Sequence, residues 1–411
     1  MPEREAVALR YMAIRESFRY HLQHNAFYRR YAEAANVGVD DLRDPEDLAK
    51  IPLVPEHLFK GCPGPDAFIA WLGSLSSDEI TWPMDGIPNR SYDEQIALLN
   101  RDDGIQVEST GGLNDTASFL PSDSVTRRRR AHWNILTFFA MYPENLHRSE
   151  RVSVTLSPRD FRWASLIVPE GREQTLLDQP QDREAVAQAF LVLKPRGVLE
   201  RFFRRRHASE GMALLERLVE RLKAISAAGA PGVLWAPASL LYALARFALE
   251  QNVGLRLGGE WQIMRSEGWQ SMQDQPLSEA ELRTFASQAL GVPPQRIYDL
   301  YGVPEGLGLC ALSCEEGYKH IPHTVVHPMV VSEAMEPLDD GMWGRFAFLN
   351  PLIQAFPGFI VTEHRVRLLR RCPACDRRGP VLDRDISPMH DGEDRSCGNM
   401  VRQIIAERLT T

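Results

Sequence analysis

No stretch of this chain approaches the roughly 20 uninterrupted apolar residues of a membrane span, and this argues against a helical anchor in the bilayer. The amino terminus, Met1-Pro2-Glu3-Arg4-Glu5, opens straight into charged amphipathic sequence with no apolar signal core. A cytoplasmic protein is the expectation. Cysteine is scarce, 6 in 411 residues, too few for a disulfide framework in a chain this long. In a cytoplasmic chain those cysteines speak for metal or nucleophile chemistry first. A basic excess is also missing: the net charge is −8, which argues against a nucleic-acid partner. The runs Arg127–Arg130 and Arg201–Arg206 are local and read as solvated helix faces. No Gly-Lys-Ser/Thr closes any glycine-rich turn, so there is no Walker loop. No lysine follows Lys319.

The length suggests two or three subdomains, and the composition is that of an ordinary globular protein. Residues 3–36 carry helical spacing, with Leu9, Met12, Ile14, Phe18, Tyr20 and Leu22 on one side and Asn25-Ala-Phe-Tyr28-Arg-Arg continuing it. Residues 40–60 read as short caps and turns, including Ile51-Pro-Leu-Val-Pro. Helical spacing returns at 126–141, rich in aromatics. From 151 to 257 the pattern alternates: a strand at 152–156, helices at 182–193 and 212–227, a strand at 232–235, a helix at 237–251. A helix at 278–290 and a strand at 296–301 follow. Residues 341–369 look all-β. Strands alternating with helices predict an α/β fold with parallel-rich sheets, whose ligands collect beyond the carboxyl ends of the strands.

The stretch Ile105–Arg130 contains Ser109-Thr110-Gly111-Gly112 after a short apolar run. Such a turn can aim backbone N–H groups and two hydroxyls at one anion, which suits a polyphosphate, though a turn of this composition also serves as a plain connection. Downstream lie Gly258-Gly259-Glu260, Tyr301-Gly302-Val303-Pro304-Glu305 and Thr362-Glu363-His364. Taken singly, Gly258-Gly259 reads as a tight loop, Tyr301-Gly302 as a strand end with a turn and Glu305 as a helix-start carboxylate.

As an ordered set they resemble the motifs of the adenylate-forming enzymes, in the branch of the acyl-protein synthetases (luciferin-component ligases) and phenylacetate-CoA ligases. Asn25-Ala-Phe-Tyr28-Arg-Arg and Ile51-Pro-Leu-Val-Pro extend the similarity over nearly the whole chain. The resemblance implies a large adenylating core over 1–382, with a β-rich subdomain at about 320–370, and a short, truncated C-terminal segment, 383–411, after a hinge near Leu382 to Ile386. It also implies an AMP-forming carboxylate ligase using ATP and Mg²⁺. Ser109, Thr110 and Gly111 would cradle the phosphates and Glu305 would hold Mg²⁺, a cation that favours carboxylate oxygen. Tyr301 and Gly302 would meet adenine, with Gly258, Gly259 and Glu260 at its edge. His364 would stand at the ribose, and Arg384, at the hinge, would be a further ATP/AMP-binding residue.

The sequence departs from the family at three places. Gly112-Leu113-Asn114 replaces a Thr-Thr-Gly run. His364 stands where the family has an aspartate that grips the ribose hydroxyls, and imidazole cannot hold two hydroxyls as a carboxylate can. No carboxyl-activating lysine is present in the tail. Cys397, in Gly392-Glu-Asp-Arg-Ser-Cys397-Gly, matches the tail cysteine that takes the acyl group as a thioester, and Arg395 beside it would lower a thiol pKa.

Cys314 and His320 with Cys372 and Cys375 make a Cys-x5-His plus Cys-x2-Cys set that would form a structural Zn²⁺ site. Buried free thiols are the alternative, and Cys310, His323 and His327 are nearby substitutes. The acid is expected to be bulky or aromatic, from Trp133, Phe138, Trp163 and Trp235, unless these are core. The acceptor would be a thiol, the chain's own or that of an acyl-acceptor protein. Two other readings stay open: a scaffold subunit that kept the fold without the chemistry, and an acyl-CoA ligase. The oligomeric state, homodimer included, is left open.

Overall fold

The computed structural model describes residues 3–60, 64–77, 91–100, 105–109, 118–146, 151–156, 172–176, 197–266, 278–307 and 309–389. The helices in chain order are α1 (Glu3–His24), α2 (Ala26–Ala34), α3 (Phe68–Leu75), α4 (Tyr92–Leu99), α5 (Ser124–Met141), α6 (Gly197–Ala227), α7 (Ala238–Glu250) and α8 (Glu279–Leu290). The strands are β1 (Val54–Pro55), β2 (Gln106–Ser109), β3 (Phe119–Ser122), β4 (Val152–Thr155), β5 (Glu173–Thr175), β6 (Gly232–Pro237), β7 (Gln262–Ser266), β8 (Ile297–Val303) and β9 (Leu309–Ser313). They continue with β10 (Lys319–His320), β11 (His327–Val331), β12 (Trp343–Leu349), β13 (Phe359–Leu369), β14 (Val381–Leu382) and β15 (Ser387–Pro388). The chain divides into two compact units. One holds Met1–Asn134, Gly302–Ala311 and Tyr318–Glu393; the other holds Ile135–Tyr301, Leu312–Gly317 and Asp394–Thr411.

The first unit is organised around β13. Antiparallel β12 lies along it and β11 along β12. Short β1 runs parallel to β13, pairing Val54 with Ile360 and Pro55 with Val361. The first four residues of β13, Phe359–Thr362, are all buried, after which exposure rises. A strand start covered on both faces reads as an unbroken apolar run, and the solvated remainder takes Glu, His and Arg. A separate β2–β3 hairpin packs under α3 and α4 through Phe68, Leu72, Leu99, Val107 and Phe119.

The expected single helix over 3–36 is two helices. Asn25 leaves the helical region (φ −113°, ψ 104°) to cap α2, its Oδ1 accepting the Tyr28 N–H at 2.8 Å while its Nδ2 donates to Leu75 O at 2.9 Å. Asparagine competes well for such backbone partners, which overrides the helical spacing around it.

The second unit carries a parallel sheet in the order β5-β4-β6-β7-β8. Its core packs β4, β6 and β7 against α6, α7 and α8, with Leu240–Ala245 of α7 wholly covered except Tyr242 at 8%. A capping box, Ser278 with Glu281, starts α8, and Gly291 at φ +68° ends it. Gly232 sits where a Cβ would come within 2.6 Å of the Trp261 ring, so this close approach requires glycine.

The fold is therefore α/β with the expected parallel sheet, and the β-rich region near 341–369 is β12 and β13. The expected strands at 152–156, 232–235 and 296–301 are β4, β6 and β8, and the expected helix at 212–227 is the latter half of α6. The helix expected at 182–193 lies outside the described residues. No helix among the described residues is long and apolar enough to cross a membrane.

Candidate active site

The hydroxyl-rich loop connects β2 to β3. Ser109 pairs with Phe119 across the hairpin, which fixes the two ends of the loop side by side. Thr110, Gly111 and the rest of 110–117 lie outside the described residues, as do Cys397, Arg395 and Trp163. The far end of the loop, Ser118, is fully buried, and its Oγ donates to Glu305 Oε1 at 2.5 Å.

Glu305 lies in the one-turn 3₁₀ helix Pro304–Gly306 just past β8. The turn closes on Leu307, a non-glycine residue held in the left-handed region at φ 45°, ψ 50°, whose N–H donates to Pro304 O. Such a conformation costs about 1–2 kcal/mol for a residue bearing Cβ. It persists because Leu307 is 1% exposed and Asn350 Nδ2 donates to Gly306 O at 3.2 Å. Backbone strain beside a buried carboxylate is common at functional sites.

Two residues that motif reading passed over complete the cluster. Glu56 follows β1 directly, so the parallel register of β1 on β13 brings it level with Thr362-Glu363-His364. Its Oε1 accepts Lys60 Nζ at 2.6 Å, one helical turn on. Glu56, Lys60, Ser118, Glu305 and His364 all belong to the first unit.

Their electrostatics are mutually dependent. Burial, reinforced by the negative charge of Glu56, pushes the Glu305 carboxyl up to about 6, against the opposing pull of Lys60 and Ser118. Burial also works to raise Glu56, but Lys60, His364 and the Glu363 N–H outweigh it and hold that carboxyl below its ordinary range. The His364 imidazole is lowered, by burial first and by Lys60, with Glu56 and Glu363 opposing. Below the histidine, Thr362 Oγ1 donates to Phe346 O at 3.0 Å and Arg345 Nη2 pairs with Glu363 Oε1 at 2.5 Å. Position 364 is also fastened by β15, which pairs Pro388 with His364. Arg384, just upstream, gives its carbonyl to Lys319 Nζ at 2.8 Å and lays its guanidinium 5.2 Å from the Tyr318 ring centroid.

In the second unit, Tyr301 stands half-buried at the carboxyl end of β8, where a ligand of a parallel sheet is expected. Gly258-Gly259-Glu260 is not there. This turn precedes β7, with Gly258 at φ +102°, and β7 runs parallel to β8. The turn and Tyr301 therefore lie at opposite ends of the strands, roughly 16 Å apart over five residues. The expectation that Gly258, Gly259 and Glu260 line the same adenine as Tyr301 is corrected on that ground. Glu260 instead projects into solvent, 3.8 Å from Arg296.

A buried ionic network joins β7 and β8 to α8: Arg265 Nη2 meets Asp299 Oδ2 at 3.0 Å and Glu279 Oε1 at 3.7 Å, and Arg283 Nη2 meets Glu279 Oε1 at 2.7 Å. Phe138 and Trp235 pack together, ring centroids 5.8 Å apart, and are 0% and 2% exposed. These two belong to the core.

The sheet also explains how cysteine and histidine side chains gather. β14 pairs with both the end of β13 and β10, so the Cys372–Cys375 turn between β13 and β14 comes beside His320 of β10. Cys375 Sγ lies 3.3 Å from His320 Nε2, and the ligand atoms of His320, Cys372 and Cys375 lie within 4.8 Å of one another. Tetrahedral zinc with nitrogen and sulfur ligands sets such atoms about 3.5 Å apart. Cys314, buried and in no disulfide, is six positions before His320 in the chain.

Residues 199–406, just over half of the chain, match the acyl-protein synthetase family, LuxE. The long-chain-fatty-acid–luciferin-component ligase of Aliivibrio fischeri is 26% identical over 149 residues, which is 36% of this chain and 39% of that protein. The chain thus matches well under half the length of this relative. An open conformation of 2-hydroxyisobutyryl-CoA ligase in complex with 2-HIB-AMP and CoA superposes with a TM-score of 0.59 at 16% identity, over 94% of this chain and 70% of that one. Its thioesterification state gives 0.59 over 95% and 70%. At that identity the likeness is one of fold.

Proposed function

This chain belongs to the acyl-protein synthetase family, and on that footing we propose that it is a cytoplasmic AMP-forming ligase which activates a carboxylic acid and passes the acyl group to a thiol. In the first half-reaction a carboxylate oxygen bonds to the α-phosphorus of ATP, and the bond to the pyrophosphate oxygen breaks. In the second a thiolate attacks the acyl carbonyl, AMP leaves, and the thiol proton passes to solvent. Such chemistry depends on holding the polyphosphate and neutralising developing charge more than on covalent help.

The observation that carries the reading is the buried cluster in which Ser118, from the end of the phosphate-type loop, donates to Glu305 while Glu56 and His364 stand alongside. A carboxyl held near 6 beside a second carboxylate suits a divalent cation, whose binding would displace the proton. Glu305 would thus hold Mg²⁺, and Ser109, Thr110 and Gly111 the phosphates. Tyr301 and Gly302 would meet adenine, and His364 the ribose. Cys397 would take the acyl group. His320, Cys372 and Cys375, with Cys314 as fourth ligand, would hold a structural Zn²⁺ that ties the strand ends together.

The Aliivibrio relative is a long-chain-fatty-acid ligase by name. With Phe138 and Trp235 in the core, the sequence-based case for an aromatic acid weakens, and a fatty acid becomes the first acid to try. Pyrophosphate release is the test, with ATP and Mg²⁺ over a panel of fatty and aromatic acids. Acid-dependent release supports the reading, and its absence with every acid sinks it. Arms with and without CoA, followed by hydroxylamine cleavage of protein-bound acyl, separate a CoA ligase from self-acylation. A second reading, a scaffold that kept the fold without the chemistry, draws on the imidazole at 364; the same panel would then show no release at all.

A further inference from the structure

The loss of a carboxylate at position 364 coincides with a buried carboxylate that β1 delivers to the same place. Glu56 is the residue after Pro55, whose partner across the parallel pairing is Val361, so it enters the cluster level with Thr362-Glu363-His364. Its side chain is 6% exposed and clasped by Lys60 Nζ at 2.6 Å, with the Glu363 N–H donating to it as well. A carboxylate offers about four acceptor positions, so two donors leave capacity for more. Glu56 and His364 act on one another electrostatically, and a neutral imidazole that turns one N–H toward a carboxylate presents its other nitrogen as an acceptor.

We propose that Glu56 is a ligand-contacting residue of the nucleotide subsite, fixing the His364 imidazole and supplying, from the turn that follows β1, the carboxylate that position 364 lacks for the ribose hydroxyls. This rests on the adenylating function proposed above. The charges around the site explain why an imidazole stands at 364. Glu56, Glu305 and the single ammonium of Lys60 meet there, with the Arg345–Glu363 pair balanced alongside and Ser118 uncharged. Adding a third carboxylate to this buried group would raise the cost of ionising all three.

The test is a double-mutant cycle on positions 56 and 364, reading KM for ATP and kcat by acid-dependent pyrophosphate release, and ATP affinity by calorimetry. Losing a hydrogen-bonded charge from a binding site costs about tenfold or more in affinity, so Glu56→Gln is expected to raise KM for ATP about tenfold while kcat moves less than about threefold. His364→Asp alone is expected to weaken ATP binding, because it crowds a third negative charge beside Glu56. The pair Glu56→Gln with His364→Asp is expected to recover most of the loss, a sign reversal that a merely structural role for Glu56 would not give. The His364→Asp arm keeps the test decisive even where Glu56→Gln folds poorly. Tighter ATP binding by His364→Asp with Glu56 intact overturns the inference, as does an unchanged KM in a folded Glu56→Gln protein. Those outcomes leave the functional reading standing if wild type releases pyrophosphate. A wild type with neither ATP binding nor pyrophosphate release overturns both.

Discussion

Glu305 is held in a state that opposes folding at neutral pH, and replacing it with glutamine should reveal this. Its carboxyl is raised from an ordinary 4.5 to about 6, by burial and then by Glu56. Between those two values the folded state binds the proton that the unfolded state has released, so stability falls as pH rises through that window and levels off above it. At 1.36 kcal/mol per pH unit, the displacement amounts to about 2 kcal/mol. Glu305 is 3% exposed, so solvent screening takes little from that figure. Glutamine at 305 keeps an oxygen for the Ser118 hydroxyl and cannot ionise. The variant should match wild type to within about 1 kcal/mol near pH 4 and gain about 2 kcal/mol on it above pH 7. Urea unfolding at a series of pH values, without divalent cations, reads the difference directly. Adding Mg²⁺ with ATP at pH 8 should then stabilise wild type and leave the variant unmoved. A difference between the two proteins that stays flat with pH, or favours wild type above pH 7, would refute the argument that Glu305 is a destabilised, functional carboxylate.

Three further outcomes follow from the same geometry. His21 is wholly buried, its ring nitrogens 2.8 Å from Ser77 Oγ and 3.3 Å from Ile353 O, and burial lowers its pKa to about 3. Below its ordinary 6.5 the unfolded state takes the proton first, so wild type should lose about 2 kcal/mol by pH 5. His21→Gln should flatten that acid limb, as urea midpoints would show. Arg265→Met leaves Asp299 without its 3.0 Å partner in a buried site and should cost about 3–5 kcal/mol, much of it recovered by adding Asp299→Leu; failure of the second change to recover anything would count against the pairing. Zinc measured by mass spectrometry should drop from about one equivalent to none in Cys372→Ser with Cys375→Ser, and a purified wild type without zinc would dispose of the metal reading.

The elements that could be read from sequence are those whose signal is local. α7 and α8 carry helical spacing between clear boundaries, and α8 has the capping box Ser278 with Glu281. β4, β6 and β8 are short apolar runs that alternate with helices, and that alternation is what a parallel sheet requires. β7 escaped because Gln262-Ile-Met-Arg-Ser has polar residues at three of its five positions, without alternation, that the fold nevertheless buries, Arg265 among them at 5% exposed. An arginine reads as surface until Asp299, thirty-four positions away, is placed against it. Missing β7 then displaced the Gly258–Glu260 turn to the wrong end of the sheet. The break at Asn25 is a different failure: the residue fits a helix by spacing, and only its tertiary partner at Leu75 makes the cap prevail.

The site shows the same division between near and far. Glu305 and His364 were legible because each sits in a compact motif. Glu56 and Lys60 were not, since Ile51-Pro-Leu-Val-Pro says nothing of what its strand pairs with, and only the register of β1 on β13 brings residue 56 to residue 364. A motif comparison scores position 364 alone and finds a carboxylate lost. In three dimensions the quantity that matters is the charge of the whole pocket, and that charge can be kept while its carrier moves to a different element. If Glu56 stands in for a carboxylate at 364, as proposed, the local count of negative groups is unchanged and the site gains a titratable imidazole whose pKa burial depresses. An imidazole kept neutral across physiological pH donates and accepts at fixed nitrogens. The exchange therefore alters how the nucleotide is gripped without requiring that the grip be lost, and nucleotide affinity should follow the 56/364 pair jointly rather than either residue alone.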